Sequence, residues 1–375
     1  MRIITVEEHF EHREVSGRVL QLGGPPGGLP LEGLAEFGSI FNDDRDAATR
    51  LGGHRLAHMD AVGVDVQVVS HGNGSPSTLA APESVDLCRQ VNNDLAQQIS
   101  EHPDRFRGFA TLPLYDPGAA AEELHRCVGD LGFVGALIAG TFEGLFLDDA
   151  RFDPILAAAE AVDLPIYVHP GLPHPQVSGP YYFGDWSAAI GVMFSGPAFG
   201  WHAEAGIHIV RLILSGALDR HPGLKLLSGH WGEVMAFWLE RLDETFALVR
   251  TGRDRDISDY YRQQIWVTPS GMFNQHQLDH VVAELGAERI IYSEDFPYVK
   301  RDNVTGFLTD SGLSDQQMHA IAHANVEALL RIRQLSDPYA NICSCGATRP
   351  SCTRTWIRSM RPSSSATTPR CVAAR

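Results

Sequence analysis

The sequence predicts a (β/α)8 barrel, a TIM barrel, with long loops after its first and fifth strands. Eight short apolar stretches recur along the chain, and stretches with helical periodicity separate them. Strands that alternate with helices pair in parallel, because a parallel pair needs a long crossover connection. Eight such units match a closed barrel of roughly 250 residues, which fits within the 375 residues of the chain. An open doubly wound sheet is the alternative.

The eight strand candidates are short, apolar and bounded by turn residues. They cover residues 2–7, 65–70, 106–111, 134–138, 165–169, 225–230, 264–268 and 289–293. Helices are predicted at about 84–102, 117–130, 152–162, 196–220, 231–250, 273–286 and 314–331. Asp116 and Asp153 each precede a first-turn proline, and Ser314 forms a capping box with Gln317. These signals predict where three of the helices begin.

Two long connections are rich in glycine and proline. GGPPGGLP at 23–30 follows the first strand, and PGLPHPQVSGPYYFGDW at 170–186 follows the fifth. Both emerge at the C-terminal face of the predicted barrel, where the active sites of such barrels are built. We therefore expect these connections to cover a site.

Residues 1–334 are predicted to form one barrel domain, and residues 335–375 a disordered tail outside it. The tail contains SMRPSSSATTPR, whose composition is typical of disorder. Cys343 and Cys345 in the tail suggest a zinc site, but their spacing does not fit the structural zinc patterns.

The charge and hydropathy of the chain exclude several classes of partner. The net charge is −16 at pH 7, and a surface of this sign attracts neither nucleic acid nor an anionic membrane. No apolar run reaches the roughly 18 residues of a membrane span, and residue 1 is not followed by a signal-peptide pattern. We therefore expect a cytoplasmic protein, in which an anionic substrate needs a local positive centre.

Polar residues stand at the ends of several predicted strands. Glu7 and His9 end the first strand, His169 ends the fifth, and Asp295 follows the eighth. Because side chains alternate along a strand, Glu7 and His9 share a face and Glu8 points to the other. Each residue alone is explained equally well as a surface or capping residue. Together they predict a divalent metal, since two carboxylates and two imidazoles converge at low cost only around a cation.

His230 and Glu233 form a second predicted pair. His230 ends the sixth strand, and Glu233 lies one helical turn further on. The carboxylate is then placed to orient the imidazole, as a base and its partner are paired in catalytic sites. The alternative is that Glu233 only occupies the first turn of the next helix, where the helix dipole favours it.

Several ordered motifs resemble the amidohydrolase superfamily, in its branch of metal-dependent aromatic acid decarboxylases. The resemblance runs from about residue 2 to 332. The pattern of motifs is similar to that of the γ-resorcylate and 2,3-dihydroxybenzoate decarboxylases. It rests on VEEHF, RLAHMDAVGVDVQVVS, NNDLAQQISEHPDRFRGFATLPLYDP, CVGDLGFVGALIAG, IYVHP, LILSGALDRHPGLKLLSGHWGE, TPSGMF, ERIIYSEDFPY and NVEALLRI.

The resemblance implies a role for each candidate residue. It implies that the metal ligands are Glu7, His9, His169 and Asp295, that His230 and Glu233 lie beside the substrate, and that Asp295 is the catalytic acid. It implies one divalent metal ion, Zn²⁺ or Mn²⁺, and no organic cofactor; an acidic ligand at position 7 favours harder ions such as Mn²⁺. The aromatic residues implied to face the substrate ring are Phe296, Tyr298, Tyr181 and Phe183.

The reaction implied by the resemblance is nonoxidative decarboxylation of a hydroxylated aromatic acid. The ring carbon bearing the carboxylate is protonated, and CO₂ is then lost. The alternative is a hydrolase of an ester, lactone or amide, in which the metal and Asp295 activate water. A metal-free barrel that only binds a ligand is a third hypothesis. The resemblance also implies a homodimer or homotetramer.

Two positions depart from the resorcylate pattern. Ala139 stands where those sequences have asparagine, and Gly171 stands where they have arginine. Both replaced residues are plausible substrate contacts, so the sequence does not identify γ-resorcylate as the substrate.

Overall fold

The structure is a computed structural model that describes residues 1–41 and 45–332. The predictions about the tail at 335–375, including Cys343 and Cys345, concern residues outside these ranges. No helix in the described ranges is long and apolar enough to cross a membrane.

The strands form two parallel sheets, of order β1-β2-β3 and β4-β5-β6-β7-β8. Their bounds are β1 (Ile4–Phe10), β2 (Val66–His71), β3 (Phe106–Gly108), β4 (Ala110–Thr111), β5 (Ala136–Ala139), β6 (Ile166–His169), β7 (Leu226–Ser228) and β8 (Ile265–Val267).

Backbone contacts join the two sheets into a closed barrel. β3 and β4 continue one another across Phe109, whose N–H donates to the carbonyl oxygen of Val69 in β2 at 2.9 Å. On the other side, residues 290–293 lie between β8 and β1. The Ile291 N–H donates to the carbonyl of β8, and an N–H of β1 donates to the Tyr292 carbonyl, at 2.9 and 3.0 Å. All eight predicted strands are therefore present, the (β/α)8 prediction is confirmed, and the open sheet is excluded.

Helices surround the barrel. They are Arg13–Gly23, Leu31–Phe41, Arg45–Thr49, Gly53–Val62, Glu83–Glu101, Pro117–Gly129, Asp153–Val162, Pro175–Tyr182, Ala188–Ser195, Gly200–Leu214, Ala217–Arg220, Leu239–Phe246, Ile257–Gln264, Gln275–Leu285, Val304–Thr309, Asp315–His319 and Asn325–Leu329, with a π-helix at Ala320–Ala324. The predicted caps at Asp116 and Ser314 are confirmed, since both side chains accept a backbone N–H of the first turn.

Two helix predictions were wrong in detail. Asp153 lies inside its helix rather than before it, and its carboxylate is 3.1 Å from His221 Nε2. The predicted helix at 231–250 is helical from Leu239 to Phe246, after a short 3-10 turn at Met235–Phe237. Its first residues form a left-handed turn instead, which belongs to the candidate site.

The two long connections contain helices and pack on each other. Helix Leu31–Phe41 follows β1, and helix Ala188–Ser195 follows β6. They cross at Gly33, where a Cβ atom would lie 2.8 Å from Val192 Cγ2 and 2.9 Å from the backbone of Ala188. Only glycine allows so close an approach of two helix backbones.

The inward side chains of the strands fill the lower barrel and line its mouth. Leu137, Tyr167 and Ile291 belong to one buried apolar cluster inside the barrel. Two residues further along their strands stand Ala139, His169 and Ser293. Because side chains alternate along a strand, these three residues face the same interior, nearer the C-terminal mouth.

Candidate active site

A β-bulge in β1 turns Glu7 toward the barrel mouth. The register against β2 shifts between Thr5 and Glu8, and Glu7 has a φ of 65°. A bulge adds one residue on one strand and redirects the side chains that follow. Val6 can therefore pack in the apolar interior while Glu7 and His9 both face the mouth. Simple alternation predicted the shared face of Glu7 and His9, but not the bulge.

The four predicted metal ligands lie close together. Glu7 Oε1 is 3.6 Å from His169 Nε2, and His9 Nε2 is 3.3 Å from Asp295 Oδ1. The rings of His9 and His169 meet edge to face, with centroids 5.0 Å apart. Each of the two polar separations suits a pair of ligands of one ion.

Unpartnered atoms in this gap test whether a metal fits. Among the buried atoms of the described residues, Glu7 Oε1, His9 Nε2 and Asp295 Oδ1 have no hydrogen-bond partner. A buried polar atom without a partner costs about 1–3 kcal/mol, and a cation bound among these carboxylates and imidazoles would supply the missing partner. The donor set of two carboxylates and two imidazoles is one that Zn²⁺ and Mn²⁺ accept. The residues present therefore fit a divalent cation.

Both histidines are oriented with Nε2 toward the gap. The Ser70 hydroxyl lies 3.4 Å from the Glu8 carbonyl, to which it donates, and 3.1 Å from His9 Nδ1, from which it accepts. The His169 Nδ1–H donates to the Pro170 carbonyl at 2.8 Å. Burial lowers the pKa of each imidazole to about 4. Each ring is then neutral, with its lone pair on Nε2, as a metal ligand requires.

Glu7 is held by two hydroxyl groups of the loop that follows β8. The Thr268 hydroxyl donates to Glu7 Oε2 at 3.0 Å, and the Ser270 hydroxyl makes a short hydrogen bond to the same oxygen. The Tyr167 hydroxyl lies 2.8 Å from Thr268 Oγ1. One carboxylate oxygen is thus anchored while the other faces the gap.

Asp295 is held by the residue that points away from the mouth, Glu8. The two oxygens of Glu8 accept the backbone N–H groups of Glu294 and Phe296, at 3.0 and 2.8 Å. Asp295 lies between these two donors with a φ of 68°. Burial raises the pKa of Asp295 to about 7, although His230 and His202 oppose the rise. Its Oδ1 faces His9, and its Oδ2 lies 4.0 Å from His230 Nε2.

His230 and Glu233 lie on a left-handed turn rather than a helix. The φ values of His230, Trp231, Gly232, Glu233 and Val234 are 45°, 59°, 81°, 53° and 69°. Left-handed conformations cost roughly 1–2 kcal/mol for each non-glycine residue. Surrounding contacts must hold such a turn, and strain of this kind is concentrated at functional sites.

Hydrogen bonds to the loop after β8 stabilise this turn. The His230 N–H donates to Ser270 Oγ at 2.8 Å, and the Trp231 N–H donates to the Thr268 carbonyl at 2.7 Å. The Trp231 indole N–H donates to the Met272 carbonyl at 2.8 Å. TPSGMF, the motif at 268–273, therefore supports both this turn and Glu7.

His230 and Glu233 lie in contact, as predicted, and the Glu233 side chain is fully buried. His230 Nδ1 lies 2.9 Å from Glu233 Oε1. Burial alone would lower the pKa of His230, but Glu233 and Glu7 raise it to about 10. Burial likewise opposes the charged form of Glu233, but His230 and His202 lower its pKa to about 2. The pair is therefore an imidazolium and a carboxylate.

Gly229 allows the two carboxylates to approach each other. A Cβ atom at this position would lie 2.8 Å from Glu7 Oε1 and 3.0 Å from both Glu233 Oε1 and the Tyr167 hydroxyl. Its φ of −70° suits any residue. The requirement for glycine here is therefore one of space.

The structure brings one of the four predicted aromatic residues to the site. The Tyr298 ring lies 5.2 Å from the His9 ring, and its hydroxyl donates to Glu11 Oε1 at 3.0 Å. Phe183 packs over Gly191 in the loop after β6, where a Cβ atom on the glycine would lie 2.3 Å from its ring.

Phe296 and Tyr181 lie away from the gap between Glu7, His9, His169 and Asp295. Phe296 is fully buried, its ring is stacked on His58 at 4.4 Å, and the Arg55 guanidinium lies over it. Since Asp295 turns toward the mouth, its neighbour Phe296 turns away. Tyr181 is 71% exposed, because it lies on the outer face of its helix, whose buried face carries Tyr182.

Sequence reasoning missed several residues that support the site. The structure adds His202, Ser70, Thr268, Ser270 and Tyr167. His202 lies on helix Gly200–Leu214, after β6, and no local signal in the sequence marks it. Thr268 and Ser270 lie in TPSGMF, a motif that contributed to the resemblance but carried no predicted role.

Comparisons with known proteins agree with this arrangement. The family described as Amidohydrolase matches residues 41–332. The decarboxylase orsB of Emericella nidulans is 36% identical over 76% of this chain and 87% of its own length. The γ-resorcylate decarboxylase of Rhodococcus jostii is 34% identical over 88% of this chain and 98% of its own.

A solved structure adds a metal to the comparison. The dihydroxybenzoic acid decarboxylase of Polaromonas, determined with bound manganese and the inhibitor 2-nitroresorcinol, is 30% identical to this chain. It superimposes with a TM-score of 0.76 over 90% of this chain and 99% of the neighbour. The chain therefore belongs to the amidohydrolase family, in the branch that contains the γ-resorcylate decarboxylases.

Proposed function

We propose that this protein is a metal-dependent nonoxidative decarboxylase, a carboxy-lyase, of a hydroxylated aromatic carboxylic acid. The observation that carries the proposal is a pair of close contacts, Glu7 with His169 and His9 with Asp295, which leave three buried atoms unpartnered beside the His230–Glu233 pair. Two of its relatives are named as decarboxylases of such acids, one of γ-resorcylate and one of dihydroxybenzoic acid.

We propose one divalent metal, Mn²⁺ or Zn²⁺, held by those four residues, and no organic cofactor. When bound, the ion supplies the positive centre that attracts the carboxylate and ortho-hydroxyl oxygens of the substrate. The ligand set supports this assignment, because two neutral imidazoles and the carboxylate of Glu7 leave the site with a net negative charge even when Asp295 carries its proton, and a divalent cation offsets that charge.

Asp295 is the proposed acid. Burial raises the pKa of its carboxyl group, which favours the protonated form that this step requires. The proton passes to the ring carbon that bears the carboxylate, which interrupts the aromatic system. The bond between that carbon and the carboxylate then breaks, CO₂ leaves, and its bonding electrons restore the aromatic ring. The net change replaces the carboxylate by one proton, so no oxidant or reductant is consumed.

The His230–Glu233 pair stabilises the charge that develops during this step. The imidazolium of His230 directs Nε2 toward Asp295 Oδ2, 4.0 Å away. A substrate hydroxyl at this position would receive a hydrogen bond from a cation in a buried site, where such bonds are strongest. Tyr298, beside His9, is the proposed aromatic wall.

The finer properties are proposals too. We expect a cytoplasmic homodimer or homotetramer with no nucleic-acid or membrane partner, and residues 335–375 outside the barrel domain. The substrate within the class is not assigned to γ-resorcylate, because Ala139, which pairs with His169 in the sheet, supplies no polar side chain.

The test is an isotope experiment on the metal-loaded protein. We expect CO₂ release from 2-hydroxybenzoates with Mn²⁺ or Zn²⁺, and one deuterium at the former carboxylate carbon in D₂O. The matched control is 4-hydroxybenzoate, which has no ortho-hydroxyl group and should not react. Two results together would favour the hydrolase hypothesis over the decarboxylase. No 2-hydroxybenzoate would release CO₂, and ¹⁸O from water would enter a carboxylate when esters and lactones are supplied.

A further inference from the structure

Glu233 is a buried carboxylate with a different histidine on each oxygen. Its side chain is fully buried. Oε1 faces His230 Nδ1 at 2.9 Å, and Oε2 faces His202 Nδ1 at 2.8 Å. A buried carboxylate needs hydrogen bonds to both of its oxygens. Glu233 and His230 therefore belong to a group of three hydrogen-bonded side chains, and the third is His202.

His202 reaches this unit from another part of the chain. It lies on helix Gly200–Leu214, after β6, whereas His230 and Glu233 lie between β7 and β8. The ring of His202 also packs edge to face on the ring of His230, with centroids 4.2 Å apart. One side chain therefore contacts both members of the pair.

The ring of His202 is itself anchored. The Trp201 indole nitrogen and the Pro197 carbonyl oxygen both lie 3.0 Å from His202 Nε2. Nδ1 faces Glu233 Oε2, and because an ionised carboxylate can only accept, Nδ1 is the donor in this contact. Contacts with Trp201 and Pro197 restrain one edge of the imidazole. The ring can then hold the Glu233 carboxylate in a single orientation.

We propose that His202 is a positioning residue, which fixes the Glu233 carboxylate and, through it, the ring of His230. This inference rests on the proposed function for its kinetic consequence but not for its geometry. Loss of the Nδ1 donor leaves Oε2 buried without that partner. The carboxylate then rotates, and His230 loses the orientation in which Nε2 faces Asp295.

The experiment compares His202→Ala with His202→Asn in the full-length, metal-loaded protein. The amide nitrogen of asparagine can take the place of Nδ1, so His202→Asn keeps the donor that His202→Ala removes. We expect kcat to fall about 10- to 100-fold in His202→Ala, the size of one lost hydrogen bond to a buried charge. His202→Asn should recover most of that loss. KM and the affinity for Mn²⁺ should change less than about twofold, since the polar contacts of His202 are with Glu233, Trp201 and Pro197 and with none of the four proposed metal ligands.

The exposed His125 on helix Pro117–Gly129 provides the matched control. His125→Ala should leave kcat unchanged. Wild-type kcat in His202→Ala, equal losses in the Ala and Asn variants, or a parallel loss of Mn²⁺ affinity would each overturn the proposal.

A second measurement reads the geometry without turnover. In the zinc-loaded protein with ¹⁵N-labelled histidine, we expect two downfield Nδ1–H proton signals from His202 and His230, both bonded to Glu233. His202→Asn should remove one signal and keep the other in place, whereas His202→Ala should shift or broaden the His230 signal. An unchanged His230 signal in His202→Ala would refute the positioning role of His202, whether or not the protein is active. A protein that decarboxylates no hydroxybenzoate would refute the proposed function, and this result is independent of the His230 signal.

Discussion

Replacing Thr268 by valine should weaken metal binding by loosening Glu7. Valine keeps the shape of the fully buried side chain and removes only the hydroxyl. That hydroxyl donates to Glu7 Oε2 at 3.0 Å and lies 2.8 Å from the Tyr167 hydroxyl. The change therefore removes one of the two hydroxyl groups that anchor the carboxylate, while Ser270 stays in place.

The expected magnitude follows from these contacts. A hydrogen bond to a charged group contributes about 1.5–3 kcal/mol. Loss of an outer-shell partner of a metal ligand typically costs about 10- to 100-fold in affinity, which corresponds to about 1.4–2.7 kcal/mol. The two ranges agree. We expect the Kd for Mn²⁺ to rise about tenfold or more.

The assay is a titration of the metal-free protein with Mn²⁺, in which electron paramagnetic resonance measures the free aqueous ion. Thr305→Val is the matched control. The Thr305 hydroxyl donates to the Val62 carbonyl at 2.8 Å, at the end of the helix that precedes β2. This variant should lose some stability in urea and no Mn²⁺ affinity. A folded Thr268→Val protein with the wild-type Kd would refute the reasoning.

Three further predictions concern catalysis, space and pH. Asp295→Asn should abolish CO₂ release without lowering the thermal midpoint by more than a few degrees, since an amide has no carboxylic proton to donate; full activity would exclude Asp295 as the acid. Gly229→Ala should displace Glu7 and raise the Kd for Mn²⁺ at least about tenfold, whereas Gly129→Ala, where a Cβ atom meets nothing within 4 Å, should not; equal affinities in titration would contradict this. Burial, with Arg211, lowers the pKa of His208 to about 3, and its Nε2 accepts the Leu147 N–H. The stabilisation from neutral His208 is complete above its unfolded pKa of about 6.5 and is lost as the pH falls, by about 2 kcal/mol at pH 5. His208→Gln should therefore lose less unfolding free energy than the wild type between pH 7.5 and 5 in urea titrations, and parallel losses would contradict the assignment.

Local sequence patterns were enough to predict the strands of the barrel and the chemical types of the residues at the site. Each strand is a local apolar run, and eight of them alternate with helical stretches, so the barrel followed without any long-range information. The end of each strand is also a local property. Glu7, His9, His169 and Asp295 were therefore recognisable, because parallel strands bring their carboxyl ends to one face.

The way in which these side chains are held depends on tertiary contacts that local patterns do not contain. The bulge at Glu7 and the left-handed turn at His230 depend on contacts with strands that are distant in the chain. Local periodicity predicted a regular strand and a right-handed helix at these positions, since it contains no such contacts. The same limit explains Phe296, which was expected at the substrate ring and lies instead against His58.

His202 and Glu8 are the clearest examples of side chains whose roles depend on tertiary contacts. Glu8 was predicted to point to the other face of the first strand, and in the structure its carboxylate accepts from the backbone on both sides of Asp295. His202 lies 28 residues before His230 in the sequence and on a different connection of the barrel. Sequence order identifies which groups can bind a metal or carry a proton, but the orientation of each group depends on partners that only the closed barrel brings within hydrogen-bond distance.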